Sequence, residues 1–278
     1  MNIMKSIQVG SYVFDYRDDG DIDAPVVLML HGFPQDSTSW DAISADVVSA
    51  GYRTLRLDQR GYSSGARPLA VGAYQMPQLV DDAFGFLDAC GIRAAHVIGH
   101  DWGGAVAWAM AERDPNRLLS LTVLSTPHPA ALASAIVRSS QGIKSWYMAM
   151  FQLPALPERL LAPGGRMWSL LTRGLPAKTR EHYAERAGRP GALSAMVHWY
   201  RAAGRGVVSG SSPSAAISVR TLYVWGGRDP ALGSYAAQRT GRFVAAPYVF
   251  HVLPGHGHWL PERAAEQLRT PILHHLGA

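Results

Sequence analysis

Apolar residues in this chain fall into short continuous runs, and the stretches between them carry helical periodicity. Val26–Leu30 is apolar at every position, the pattern of a strand covered on both faces. Tyr52–Leu57, His96–Gly99 and Leu119–Leu124 are further short β-rich runs, and Met76–Cys90 and Trp102–Arg113 between them read as helices. The alternation predicts a mainly parallel sheet flanked by helices. Lys5–Gly10 and Ser11–Tyr16 read as an antiparallel hairpin at one edge, and the polar segment Asp18–Asp23 as the turn into the first parallel strand. After Ser125-Thr126-Pro127-His128-Pro129 the pattern becomes helical, broken by Pro154, Pro157, Pro163, Pro176 and Pro190. Strand character returns at Val219–Trp225 and Tyr248–Leu253, and one amphipathic helix, Pro261–Leu276, closes the chain. The expected organisation is an α/β core of residues 1–127 and 214–278 with a helical cap, 128–213, inserted in it. The small-residue stretch Gly204–Ala216 reads as a flexible, hinge-like return to the core. Pockets form where such an insertion covers the carboxyl ends of parallel strands.

Composition narrows the picture. A chain of 278 residues, 47% hydrophobic and 17% charged, suits one large α/β domain with an insertion. The net charge of +5 would permit contact with polyanions, but no basic run exists. Charges alternate in sign, as in Asp58–Arg60 and Glu158–Arg159, which reads as solvated surface and argues against nucleic-acid binding. The single cysteine, Cys90, reads as a packing residue at a helix end. No stretch approaches the roughly 18 apolar residues of a membrane span, and Met1–Gly10 lacks the apolar core of a signal peptide, so a cytoplasmic protein without membrane contact is expected. His251, His256, His274 and His275 have no metal-ligand spacing and no phosphate-binding glycine loop occurs, so neither metal nor cofactor is expected.

The most informative string is Gly99-His100-Asp101-Trp102-Gly103-Gly104, lying between a predicted strand and a predicted helix. Its spacing is that of a nucleophile elbow, a strained turn whose central side chain projects while small neighbours let strand and helix approach. The residue at the apex is Asp101 where a serine is usual. A carboxylate is ionised at neutral pH and can attack an electrophilic carbon without a base, forming an ester. Gly-x-Asp-x-Gly alone is also an ordinary tight turn, so its companions decide. His31-Gly32-Phe33-Pro34 follows the first parallel strand, where one oxyanion-hole amide is expected; the other comes from the residue after the nucleophile. The N–H groups of Phe33 and Trp102 are therefore the candidate donors. Asp229, after the strand ending at Trp225, is the candidate orienter, and His258, in Gly257-His258-Trp259, the candidate base, in the chain order nucleophile, acid, histidine. His256 is its competitor. His31 and His100 read as organisers of the loop backbones.

These strings resemble the α/β-hydrolase fold, and within it the epoxide hydrolase and haloalkane dehalogenase group, over almost the whole chain. Asp58-Gln59-Arg60-Gly61-Tyr62-Ser63-Ser64, Thr126-Pro127-His128-Pro129 and Gly257-His258-Trp259-Leu260-Pro261-Glu262 resemble epoxide hydrolase segments in particular. Two more, Ser145-Trp146-Tyr147-Met148-Ala149-Met150-Phe151-Gln152 and His198-Trp199-Tyr200-Arg201, resemble the segments that carry that group's pair of cap tyrosines, which implies Tyr147 and Tyr200. Phenol hydroxyls can donate to an epoxide oxygen as it becomes an alkoxide, though both residues could equally be packing. The resemblance implies a cofactor-independent epoxide hydrolase with Asp101, Asp229, His258, Tyr147 and Tyr200 as its machinery. A small apolar epoxide, bound among Trp102, Phe33, Tyr147 and Tyr200, and water would be its partners, and the enzyme a monomer or homodimer. A haloalkane dehalogenase shares the ester chemistry, but Phe33 stands where many of those enzymes carry a polar donor. A fluoroacetate dehalogenase would place arginine where Trp102 stands, and a serine esterase lacks its nucleophile here. A non-catalytic protein of this fold that binds a small ligand is the remaining alternative.

Overall fold

The computed structural model describes residues 3–208 and 216–277. One eight-stranded sheet runs through it in the order β1-β2-β4-β3-β5-β6-β7-β8. The strands are β1 (Lys5–Val9), β2 (Tyr12–Asp19), β3 (Val26–Leu30), β4 (Arg53–Leu57), β5 (Ala95–His100), β6 (Leu118–Leu124), β7 (Thr221–Gly226) and β8 (Tyr248–Leu253). β1 and β2 are antiparallel to each other and β2 to β4, while β4, β3, β5, β6, β7 and β8 pair in parallel. The apolar runs become strands because both faces are covered. Leu28 and Leu30 face the side packed by α2 (Met76–Ala89) and α3 (Trp102–Arg113). Val27 and Met29 face the other side with Trp40, α1 (Asp41–Ser49) and the C-terminal helices.

Between β6 and β7 the described chain is helical: α4 (Pro129–Arg138), α5 (Gln141–Lys144), α6 (Trp146–Met150), α7 (Leu156–Leu160), α8 (Arg166–Leu171), α9 (Ala177–Gly188) and α10 (Ala192–Val208). This layer shares a continuous core with the sheet, because Phe151, Trp168, Tyr183 and Trp199 belong to the same buried cluster as Leu28 and Val97. α11 (Ser234–Arg239), α12 (Leu260–Arg263) and α13 (Ala265–Leu276) complete the fold. Among the described residues no helix is long and apolar enough to cross a membrane.

Several expectations need correction. β2 continues through Asp18 and Asp19, which read as a turn, because it pairs with β4 and both carboxylates meet buried arginines: Asp18 with Arg53 at 2.8 Å and Asp19 with Arg56 at 2.5 Å. Asp58 and Arg60 are not solvated surface. Both are buried, Asp58 against Arg186 and Arg60 against Asp82, partners too far along the chain for a local window to detect. Glu158 pairs with Arg201 at 2.7 Å, not with its neighbour Arg159. The expected single C-terminal helix is two, broken at Ala264 (φ −132°). The first residues of the expected return segment, 204–208, continue α10, so they are not a hinge. The rest of it, 209–215, with the core boundary expected at 213/214, lies outside the described residues. Cys90 sits half-buried just after α2, where burial pushes its thiol up to about 11.

Candidate active site

The loops leaving the carboxyl ends of β3, β5, β7 and β8 converge on Asp101. It sits between β5 and α3 at φ 50°, ψ −120°, a strained conformation for a residue with a Cβ, and its carboxylate projects from the turn. The turn needs its glycines. A Cβ at Gly103 would lie 2.0 Å from the Leu30 carbonyl oxygen, and one at Gly32 would lie 2.3 Å from the Cβ of Asp101. The Thr126 hydroxyl fixes the turn from the neighbouring strand by donating to the Asp101 carbonyl at 2.7 Å.

One oxygen of the carboxylate, Oδ1, accepts the Phe33 N–H at 2.8 Å. The other, Oδ2, lies 3.5 Å from Nε2 of His258, whose Nδ1 is 2.8 Å from Oδ2 of Asp229. Asp229 is buried, and its Oδ1 accepts the amides of Ala231 (2.8 Å) and Leu232 (3.0 Å), which leaves Oδ2 aimed at the imidazole. His256 reaches neither carboxylate; its carbonyl accepts the Arg228 amide. Trp102 opens α3, where the first amides have no acceptor inside the helix.

The charges reinforce one another. Burial pushes the Asp101 carboxyl up most strongly of any single cause, but the hydrogen bond and charge of His258, with the Phe33 amide and the other neighbours, together outweigh it and the net shift is downward, which favours the anion. Burial likewise disfavours the charged imidazole of His258, yet the two carboxylates flanking it raise its pKa well above the ordinary histidine value. The two carboxylates therefore favour the charged imidazole, and the imidazole favours the ionised form of Asp101. His100 lies between Oε1 of Gln35 (2.8 Å) and the His258 carbonyl (2.9 Å), and burial lowers its pKa to about 4, which keeps it neutral. His31 takes the Gln59 N–H on Nε2 at 3.1 Å. Both histidines do organise backbone.

Above Asp101 stand the aromatic residues of the helical layer. Tyr200, on α10, packs edge-on against Phe33 (5.3 Å between centroids), Trp102 (5.0 Å) and Tyr147 (6.2 Å). Burial and then the charge of Asp101 raise the pKa of both tyrosines, so both keep their protons and are donors. The structure thus brings together all seven residues picked out from the sequence, and it adds some that sequence reading missed. Phe151 packs on Phe33, Tyr147 and Tyr200 and forms the middle of the aromatic wall. Ser125, at φ 67°, donates to the His258 carbonyl at 3.0 Å. Gln35 accepts the Gly32 amide at 2.8 Å. Phe151 and Ser125 stand inside the quoted strings and Gln35 directly follows one, but nothing in those strings sets the three apart from their neighbours. Surface hollows lined by Asp88, Ile92 and Arg117, and by Gly164, Trp168 and Arg180, contain none of these residues.

Residues 25–264 match the family model described as alpha/beta hydrolase fold. An AB hydrolase superfamily protein, YfhM, of Bacillus subtilis is 32% identical over 91% of this chain and 91% of its own length. Epoxide hydrolase A of Mycobacterium tuberculosis is 30% identical, with 92% of each chain covered. Among solved structures, an epoxide hydrolase from metagenomes of hot environments superposes with a TM-score of 0.89, 25% identity and 99% of each chain covered.

Proposed function

The chain belongs to the alpha/beta hydrolase fold family, and from that premise we propose that it is an epoxide hydrolase working through an ester on Asp101. The observation that carries this reading is the carboxylate at the elbow, held by the Phe33 amide and backed by His258 and Asp229 beneath two protonated tyrosines. The epoxide hydrolases among its relatives supply the substrate class.

In the first step Oδ2 of Asp101 attacks an epoxide carbon. The carbon–oxygen bond of the ring breaks, the departing oxygen takes hydrogen bonds from Tyr147 and Tyr200 and a proton from one of them, and the tyrosinate left behind regains a proton from water before the next turnover. In the second, His258 removes a proton from water, which adds to Cγ of Asp101. The negative charge that develops on Oδ1 is met by the amides of Phe33 and Trp102. The bond between Cγ and Oδ2 then breaks, and a vicinal diol leaves with that oxygen. His258 acts as the base of the second step, because ester formation removes one of the two carboxylates that raise its pKa, so that pKa falls when a base is required. The helices α4–α10 act as the cap, and their aromatic wall favours an apolar substituent on the epoxide.

The test is diol formation from terminal and aryl epoxides, run beside halide release from short haloalkanes. Diol without halide is expected, since Phe33 has no polar side chain to hold a halide. Halide without diol would make the protein a dehalogenase. Tyr147→Phe and Tyr200→Phe should each lower kcat/KM roughly tenfold to a hundredfold, and the double variant by about 10⁴, the span of general-acid contributions. If the double variant retains wild-type kcat/KM, the two tyrosines are packing residues.

A further inference from the structure

Three residues on one face of α9 grip the loop that carries the Phe33 amide. His182 Nε2 lies 2.7 Å from Oδ2 of Asp36, and Arg186 Nε lies 3.1 Å from the same oxygen. Arg186 also pairs with Oδ2 of Asp58, whose Oδ1 accepts the Ser37 amide at 2.7 Å. Tyr183, between them, donates to Glu262 at 2.9 Å; Glu262 accepts the Gln35 side-chain amide at 2.7 Å, and Gln35 in turn accepts the Gly32 N–H. The segment from Gly32 to Ser37 is thereby tied to one helix of the cap on both sides of Phe33. Asp36 and Asp58 are buried, at 2% and 0% exposure, so without the arginine Asp58 would lose its cation in the interior and Asp36 would be left with His182 alone.

We propose that Arg186, seconded by His182, is a positioning residue for the oxyanion hole: by neutralising Asp36 and Asp58 from the cap it keeps the Phe33 N–H aimed at Oδ1 of Asp101. This rests on the ester mechanism proposed above. It also goes beyond it, because a cap residue then acts on the second step while touching neither substrate nor nucleophile. Attack by Oδ2 does not need the Phe33 amide, whereas the charge on Oδ1 during hydrolysis does. Loss of Arg186 therefore slows one half-reaction selectively. His182 faces Asp36, Arg186 and Glu185, and Asp36 raises its pKa, so it is the cationic form that supports the loop and that support weakens as pH rises through the raised value.

The experiment is rapid-quench single turnover with a small aryl epoxide, following ester formation and ester decay by intact-protein mass. Arg186→Met should form the ester within about threefold of the wild-type rate but hydrolyse it at least about tenfold more slowly, part of the 10²- to 10³-fold attributed to one oxyanion donor. Arg186→Lys, a point charge without the two-pronged fork, should recover part of the loss, and His182→Gln should show a smaller defect of the same kind. If Arg186→Met does not fold, the same criteria apply to Arg186→Lys and His182→Gln. Equal slowing of both half-reactions, or of neither, overturns the proposal. Absence of any ester in the wild type would instead overturn the mechanism on which it rests.

Discussion

Replacing Asp101 with alanine should abolish diol formation, with kcat/KM at least about 10⁴-fold below wild type, the scale on which removal of a nucleophile is felt. The residue has no local substitute. The other acid of the triad, Asp229, is committed through Oδ1 to two backbone amides and through Oδ2 to His258. The fold should survive, although alanine at φ 50° is itself strained, so the variant needs a thermal unfolding curve beside the activity assay. A folded variant that still makes diol at a tenth of the wild-type rate would mean that the carboxylate only orients water, and the ester would drop out of the mechanism.

His258→Gln should separate the two steps. Asp101 is ionised without a base, so the ester still forms; with nothing to activate water, the ester persists. The expected result is an approximately stoichiometric burst of epoxide consumption, a stable adduct on Asp101, and turnover reduced by 10³-fold or more, the order of loss seen when a general base is removed from a coupled site. The pH dependence follows with its sign. Before the first step the carboxylates of Asp101 and Asp229 raise the pKa of His258, and His258 in turn lowers that of Asp101, which favours the ionised nucleophile. Hydrolysis requires the neutral imidazole, so the decay rate of the ester in the wild type should rise with pH as His258 gives up its proton, and in His258→Gln that rise should be absent. An adduct that forms only when His258 is present would instead make the histidine part of the first step.

The parts of the site that were legible in the sequence are those fixed by local geometry. The glycines around Asp101 are demanded by a turn in which a Cβ at Gly103 would strike Leu30, and such a demand leaves its signature within six residues. Asp229 and His258 follow apolar strands, so their positions could be read from the ends of those strands. What could not be read was set by partners distant in the chain. Asp58 and Arg60 look like surface charges until Arg186 and Asp82 arrive from elsewhere in the fold. β2 runs past its apparent turn because Arg53 and Arg56 supply counter-charges for Asp18 and Asp19. Phe151 became part of the aromatic wall only when α6 and α10 met, and one apolar residue in a helical stretch gives no hint of which face it will occupy.

The ester is the central claim, and the origin of the product oxygen tests it most directly. Enzyme in excess over epoxide, in heavy-oxygen water, should give a first-turnover diol that is unlabelled, because the incoming oxygen is Oδ2 of Asp101; label should enter Asp101 and reach the diol only in later turnovers. Heavy oxygen in the first-turnover diol would mean that water attacks the epoxide directly and would contradict the account.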